Sequence, residues 1–339
     1  MAGVFGVVGL RNAHGVRAMG ERLAHRGREC DLREAASGVW LGCRHDPGEP
    51  AARARDRRTL LADIALYAAQ PVGADAQPWR ADDPVDIGRH VLDLYGHCGS
   101  NAFAQLNGDF AVAIWDLGAD ELILARDFAG VRPLYYAQLP SGGVAFASEY
   151  KALLALEQLP AEPDLDMLQY LQHEKHLPAE RTLLRDVRSV PPGCVLALDR
   201  TGAVRRRERL PALQMAVEPM SLAAARSKVA DAFLRAVDAR IAGLPRFGVA
   251  LSGGIDSIAV ACASRHLQPQ TEIHTFTVGD DRQDPEIRRA EFVAGKIGVT
   301  QHSIVVTPDM IAKQLPRVVW HLENPIARSE TVQFHALGA

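Results

Sequence analysis

The residues best placed to do chemistry lie in Leu251-Ser252-Gly253-Gly254-Ile255-Asp256-Ser257, between the apolar runs Phe247-Gly248-Val249-Ala250 and Ile258-Ala259-Val260-Ala261-Cys262-Ala263. An apolar run, then Ser-Gly-Gly, then Asp-Ser and a helical pattern predicts a strand that ends in a tight turn and opens a helix. Such a junction binds anions. Glycines let the backbone approach a phosphate, and the N–H groups of the helix's first turn point at it, helped by the positive end of the helix dipole. Ser252 and Ser257 can add hydroxyl donors. Asp256 is a poor phosphate partner unless a metal ion lies between them, so the loop asks for a nucleotide with magnesium.

A Gly-Gly turn by itself also serves as an ordinary connection, where glycine merely supplies positive φ. Neither GxxxxGK[ST] nor GxGxxG occurs, which excludes simple NTPase and dinucleotide readings. SGGxDS after an apolar strand is narrower. It resembles the pyrophosphate-binding loop of ATP pyrophosphatases, enzymes that cleave ATP to AMP and pyrophosphate while activating a carboxylate or carbonyl.

Other reactive residues form no such pattern. His274, His302, His321 and His335 lack HExxH-type spacing and read as satisfied or surface side chains. The five cysteines, Cys30, Cys43, Cys98, Cys194 and Cys262, are odd in number and include no CxxC pair. Neither a disulfide framework nor a zinc site is expected, which fits a reducing, cytoplasmic setting. No N-terminal signal pattern or membrane-length apolar run is present, so no membrane association is expected. A net charge of −3 gives no general reason to expect nucleic acid. The basic clusters at 53–58 and 205–209 are short, interrupted by acids, and read as solvated surface.

The elements that must position the loop divide in two. With 339 residues the chain is long enough for two cores, since one rarely grows past about 250 to 300 residues. In the first half, Gly3, Gly6 and Gly9 punctuate an apolar N-terminal strand, and 38–43 alternate as another. Residues 110–116 and 121–126 form a hairpin across Gly118-Ala119-Asp120, and 134–137 pair with 144–148 across Pro140-Ser141-Gly142-Gly143. Many short strands with few helices between them predict antiparallel sheets in an α+β domain. In the second half a helical pattern from 221 to 242, N-capped by Ser221, places Ala224, Val229, Phe233, Val237 and Ile241 on one broad face. Strands at 246–251, 272–278 and 302–306 then alternate with helices, a βαβ pattern that predicts a parallel sheet. Ligands bind such sheets beyond the carboxyl ends of the strands, where both LSGGIDS and His274-Thr275-Phe276-Thr277-Val278-Gly279-Asp280 finish.

Four segments carry a specific likeness: LNGDFAVAIWD (106–116), RDFAGVRPLYY (126–136), FASEYKALL (146–154) and SVPPGCVLAL (189–198). With LSGGIDS following in order, the chain resembles the asparagine synthetase family over nearly its whole length. The resemblance implies a class II glutamine amidotransferase domain of the N-terminal-nucleophile fold at 1–205, a linker at 206–220, and an ATP-pyrophosphatase synthetase domain at 221–339. It implies ATP and Mg2+, with Leu251, Ser252, Gly253, Gly254, Ile255, Asp256, Ser257 and Val278 binding the nucleotide, Leu251 and Val278 beside adenine, and Asp256 on the metal. Glu323, in Glu323-Asn324-Pro325-Ile326-Ala327-Arg328-Ser329-Glu330, falls where the family borders its carboxylate pocket, and reads equally as a surface acid at a helix end.

One departure is chemical. The family's glutaminase nucleophile is the cysteine exposed when the initiator methionine is removed; here that position is Ala2, whose methyl group has no lone pair. The family's Asn-Gly-Glu falls near Asp63-Ile64-Ala65, and its His-Arg-Gly-Pro-Asp is His25-Arg26-Gly27-Arg28-Glu29. The expectation is a first domain without ammonia production, as in the β-lactam synthetases and lasso-peptide cyclases that this departure resembles. The expected reaction is adenylation of a carboxylate, from aspartate or a peptide side chain, followed by attack of an amine not drawn from glutamine. The family's later SGEGxDE-like stretch and late lysine have no counterpart before Ala339. The chain is therefore expected to be either a fragment of a longer protein or a truncated, inactive one, with a second chain supplying that half or a homodimer covering the short sheet.

Overall fold

The computed structural model describes every residue except 1, 11–13, 48–51, 70–78, 81–85, 212–218, 325–329 and 338–339. The chain falls into two compact units, Met1–Gln214 and Met215–Ala339. Most of the expected linker, 212–218, lies outside the described residues.

The first unit is built on two antiparallel sheets. One runs in the order Val187–Ser189, Tyr135–Gln138, Val144–Ala147, Gly3–Val8, Val39–His45 and Glu29–Ala36. The other runs Val204–Arg209, Cys194–Leu198, Glu121–Arg126, Leu106–Asp116, Arg58–Ala69 and Ala52–Arg55, with Trp79–Arg80 paired to the end of the long strand. Side-chain alternation sorts the apolar residues into three layers, because successive residues of a strand point to opposite faces. Val4, Leu41, Val144 and Phe146 of the first sheet meet Ala111, Ala113, Trp115 and Leu124 of the second in a core between the sheets. Phe5, Val7, Ala145 and Ala147 face outward onto Val16 and Met19 of helix His14–Arg22 and onto Tyr150 and Leu153. Phe110, Val112 and Ile123 face the other way onto Val91, Leu92 and Tyr95 of helix Ile87–Cys98. Helix, sheet, sheet, helix is the layering of the expected fold class. Gly6 is required at its centre, since a Cβ there would lie 2.6 Å from the Phe146 ring and from the Trp40 carbonyl.

The basic run at 205–209 is an edge strand with acid partners: Arg205 pairs with Asp199, Arg206 with Glu121 at 2.8 Å, and Arg207 with Glu180. Charged side chains on an edge discourage pairing with another chain.

The second unit carries a parallel sheet, Arg246–Ala250, Glu272–Gly279 and Thr300–Val305, with the longest strand central. Helices Ile255–Leu267, Pro285–Ile297 and Pro308–Leu322 follow the three strands in turn. Helix Leu222–Ile241 departs from the expected amphipathic face. Only Val237 and Ile241 are buried, while Val229 is 69% and Phe233 36% exposed. The reason is geometric: only the C-terminal half of the helix packs, with Leu234, Val237 and Ile241 meeting Ala263, Phe247 and Leu267. Among the described residues, no helix is long and apolar enough to cross a membrane.

Candidate functional site

Strand Arg246–Ala250 ends at Leu251, which is buried and fixed from both sides: its N–H donates to the Phe276 carbonyl at 2.8 Å, and its own carbonyl accepts from the Thr277 hydroxyl. Both backbone groups of Leu251 are thereby held within the sheet. The chain then turns through Gly253 at φ 73°, where a Cβ would lie 2.7 Å from Arg289 Cβ. Only glycine takes that conformation without strain and leaves that space.

Hydroxyls hold the turn closed. Ser257 Oγ accepts from the Ser252 N–H at 3.2 Å and donates to the Gly254 carbonyl at 3.1 Å, and Ser252 Oγ lies 3.1 Å from Ser257 Oγ. Gly254 is the N-cap of helix Ile255–Leu267 and offers no side-chain cap. The other three long helices of this unit are capped by Ser221, Asp284 and Thr307, each accepting a first-turn amide. The first N–H groups of a helix have no partner within it, so this terminus presents uncapped amides. Asp256 stands in that first turn on the exposed side, and Ile255 beside it is 83% exposed.

Beyond the strand ends lies a cavity of about 540 Å³. Its walls include Leu251, Ser252, Ser257 and Val278, bringing together four of the residues singled out from the sequence. Gly253, Gly254, Ile255 and Asp256, between Ser252 and Ser257 in the chain, do not line that wall. Glu286 and Gln333 line it too, and the sequence reading missed both. Glu286 sits in the first turn of Pro285–Ile297, a position readable only as a helix start. Gln333 arrives from helix Glu330–Leu337 and donates to Asp280 at 3.1 Å, a contact 53 residues apart. Glu323 stands elsewhere, ending helix Pro308–Leu322 at φ 59° with its N–H on the Val319 carbonyl. Most of the segment after it, 325–329, lies outside the described residues.

The histidines behave differently from one another. His274 and His302, on neighbouring strands, come together with Nδ1 and Nε2 2.8 Å apart, and His274 Nε2 reaches Glu272 at 2.9 Å. His335 Nδ1 lies 3.3 Å from Gln314. Parallel register placed Phe276 opposite His302 and so brought the pair together, a pairing not visible in linear spacing.

At the other end of the chain, Ala2 is 9% exposed and borders the core between the sheets. Its carbonyl accepts from Arg26 Nε at 2.9 Å. The same guanidinium reaches Asp63 at 2.6 Å and Glu149 at 2.9 Å. Glu149 also meets His25 Nε2 at 2.9 Å and the Lys151 ammonium, and Arg132 stands 3.6 Å from Asp63. Asp63 is 1% exposed. Burial pushes the Glu149 carboxyl up, but hydrogen bonds from His25, Lys151 and Arg26 outweigh it and hold it down to about 2. Charges packed this closely satisfy one another. Cys43 shares the core layer of Ala2, and burial raises its thiol to about 12 while no metal cation meets the sulfur.

Comparison with known proteins joins the two halves. Residues 85–208 match the glutamine amidotransferase domain family and 228–339 match the asparagine synthase family. The chain belongs to the asparagine synthetase family. A putative asparagine synthetase [glutamine-hydrolyzing] of Mycobacterium tuberculosis is 34% identical over 71% of this chain and 37% of its own length. Asparagine synthetase [glutamine-hydrolyzing] 1 of Bacillus subtilis is 26% identical over 92% of this chain and 50% of its own length. The chain thus spans at most half the length of these two curated relatives. Among solved structures, a glutamine phosphoribosylpyrophosphate amidotransferase from B. subtilis is a distant likeness, with 16% identity and a TM-score of 0.39 over 89% of this chain and 65% of that one. The first unit carries the antiparallel sheets and the second the parallel sheet; strand Val204–Arg209 belongs to the first unit, which runs to Gln214, so the start of the linker expected at 206–220 is sheet instead.

Proposed function

We propose that this protein is an ATP-dependent, amide-forming ligase of the asparagine synthetase type whose nitrogen does not come from its own first domain. The observation that supports the ATP step is the uncapped helix terminus at Gly254 opening onto a cavity walled by Ser252, Ser257 and Val278. ATP fits there: the amides and hydroxyls suit its phosphates, and Val278 and Leu251 offer an apolar wall for the base. Mg2+ would be held by Asp256, and when bound it neutralises phosphate charge.

The balanced reaction has two steps. A substrate carboxylate oxygen, from aspartate or a peptide side chain, bonds to the α-phosphorus as the bond to the β-phosphate bridge breaks and pyrophosphate leaves. An amine nitrogen then bonds to the acyl carbon, AMP departs with the C–O electron pair, and the amine gives up a proton. The residues around the cavity position the reactants and stabilise phosphate charge.

Ala2 supports the second part of the reading. A methyl group cannot attack an amide, and the polar space beside it is filled by the Arg26, Asp63 and Glu149 pairs. Free ammonia or an amine on the substrate itself would take glutamine's place.

Carboxylate-dependent exchange of labelled pyrophosphate into ATP tests the first part, with aspartate as the first probe and carboxylate-bearing peptides next. Exchange that needs a carboxylate supports adenylation. ATP binding without exchange for any of them would make the protein a nucleotide-binding regulatory module instead. Glutamine hydrolysis by the purified protein would overturn the second part and restore an ordinary glutamine-hydrolysing enzyme.

A further inference from the structure

Strands Glu29–Ala36 and Val39–His45 pair antiparallel with Asp31 opposite Cys43 and Glu29 opposite His45. Cys43 and His45, two residues apart, project from the same face of their strand, and Asp31 joins them from the next. An Asp31 carboxylate oxygen, Cys43 Sγ and a His45 ring nitrogen all lie within 4.8 Å of one another. Cys43 and His45 are buried and Asp31 is exposed, so the cluster has one open side.

The histidine's hydrogen bonds point to what the cluster wants. His45 Nδ1 lies 3.0 Å from the Asp46 carbonyl, which can only accept, so the neutral ring carries its proton on Nδ1. The lone pair of Nε2 then faces Asp31 Oδ2 at 3.3 Å. With the proton on Nδ1, these two acceptors face one another, an arrangement that a cation between them would satisfy. A carbonyl on Nδ1 is also the usual partner that fixes an imidazole for metal binding through Nε2. The sulfur selects among cations: thiolate and imidazole together favour zinc-class ions over magnesium or calcium.

We propose that Asp31, Cys43 and His45 bind a zinc-class divalent cation, through a carboxylate oxygen, Sγ and Nε2, with the fourth position open to water. Tetrahedral zinc with bonds of about 2.0–2.3 Å sets its ligand atoms roughly 3.3–3.8 Å apart, a separation the His45–Asp31 contact already has. Val39–His45 also pairs with the N-terminal strand, Cys43 opposite Val4, so the ion would tie the outer hairpin strand to the layer that holds Ala2. No linear motif announces the site, because its third ligand crosses a hairpin.

The whole chain, stripped of metal, is titrated with Co2+ and then Zn2+. One Co2+ per chain, with a thiolate-to-cobalt charge-transfer band displaced by Zn2+, is expected. Cys43→Ala should abolish the band, while Asp31→Asn and His45→Gln should each weaken Co2+ binding at least about 10-fold. Since Cys43 lies in a core, Asp31→Asn is the deciding variant: its circular dichroism should match the wild type, and Zn2+ should raise the melting temperature of the wild type only. Lack of stoichiometric binding, a band that survives Cys43→Ala, or an affinity unchanged by Asp31→Asn would overturn the site and leave His45 as a hydrogen-bonded side chain between the Asp46 carbonyl and Asp31.

Discussion

The surroundings of Ala2 and the loop at Ser252 lie in different units of the chain, and they differ in where their polar groups are spent. Around Ala2, every charge described has a protein partner: Arg26 meets Ala2, Asp63 and Glu149, and Glu149 meets His25 and Lys151. At Ser252 the hydroxyls close the turn, but the helix behind Gly254 begins without a side-chain cap. A network that satisfies itself has nothing left for a ligand, and removing one member leaves a buried charge. A helix start that satisfies only its own turn keeps its amides for an anion. The contrast teaches that the polar groups beside Ala2 are engaged with one another, while the helix start behind Gly254 leaves first-turn amides without a side-chain cap.

The sharpest break of this contrast is Asp63→Ala, which takes from Arg26 and Arg132 the buried carboxylate they share. Removing one partner of a buried pair costs about 3–5 kcal/mol, read as a lower denaturant midpoint for the first unit. If the pocket were a live glutamine site with loosely held charges, the loss would be under about 1 kcal/mol, as for surface pairs. On the other side, Asp256→Asn should cut carboxylate-dependent pyrophosphate exchange about 100-fold, some 3 kcal/mol of transition-state stabilisation, without moving either unit's melting. Unchanged exchange would remove Asp256 from the site.

A pH series probes the closed network more gently. The folded Glu149 carboxyl, at about 2, lies below its unfolded value, so its contribution is complete above pH of about 4.5 and fades as pH falls toward 2. Allowing for partial solvent screening, the stability gap between wild type and Glu149→Gln should be about 2 kcal/mol at pH 6 and close to zero near pH 2. A gap that stays constant across that range would mean the ion pairs contribute nothing. The smallest expected effect is the most pointed. Ala2→Cys, with the initiator methionine removed, should yield no measurable glutamine hydrolysis, because the polar groups beside residue 2 remain engaged with one another. Ammonia release by that variant would show that only the nucleophile was lost.

Reading the sequence alone fared unequally across these places, for one reason. Helices Pro285–Ile297 and Pro308–Leu322 are the ones expected to alternate with the parallel strands, legible because proline starts and helical periodicity are local signals. The Ser-Gly-Gly turn was legible because the φ of 73° at Gly253 is a property of one residue. The full apolar face expected on Leu222–Ile241 was not borne out at Val229 and Phe233, because periodicity gives a face but not what lies opposite it.

By itself, then, the sequence determined the strand, turn and helix at Ser252, the alternation of the two sheets in the first unit, and the chemical silence of Ala2. Each rests on the identity of a residue or on contacts a few positions apart. Tertiary structure alone decided that Arg26 would meet Glu149 across 123 positions and Asp63 across 37, that Gln333 would reach the cavity edge, and that Asp31 would face Cys43 and His45. Those juxtapositions follow from strand register and helix placement, which set what touches what and leave no mark in local spacing.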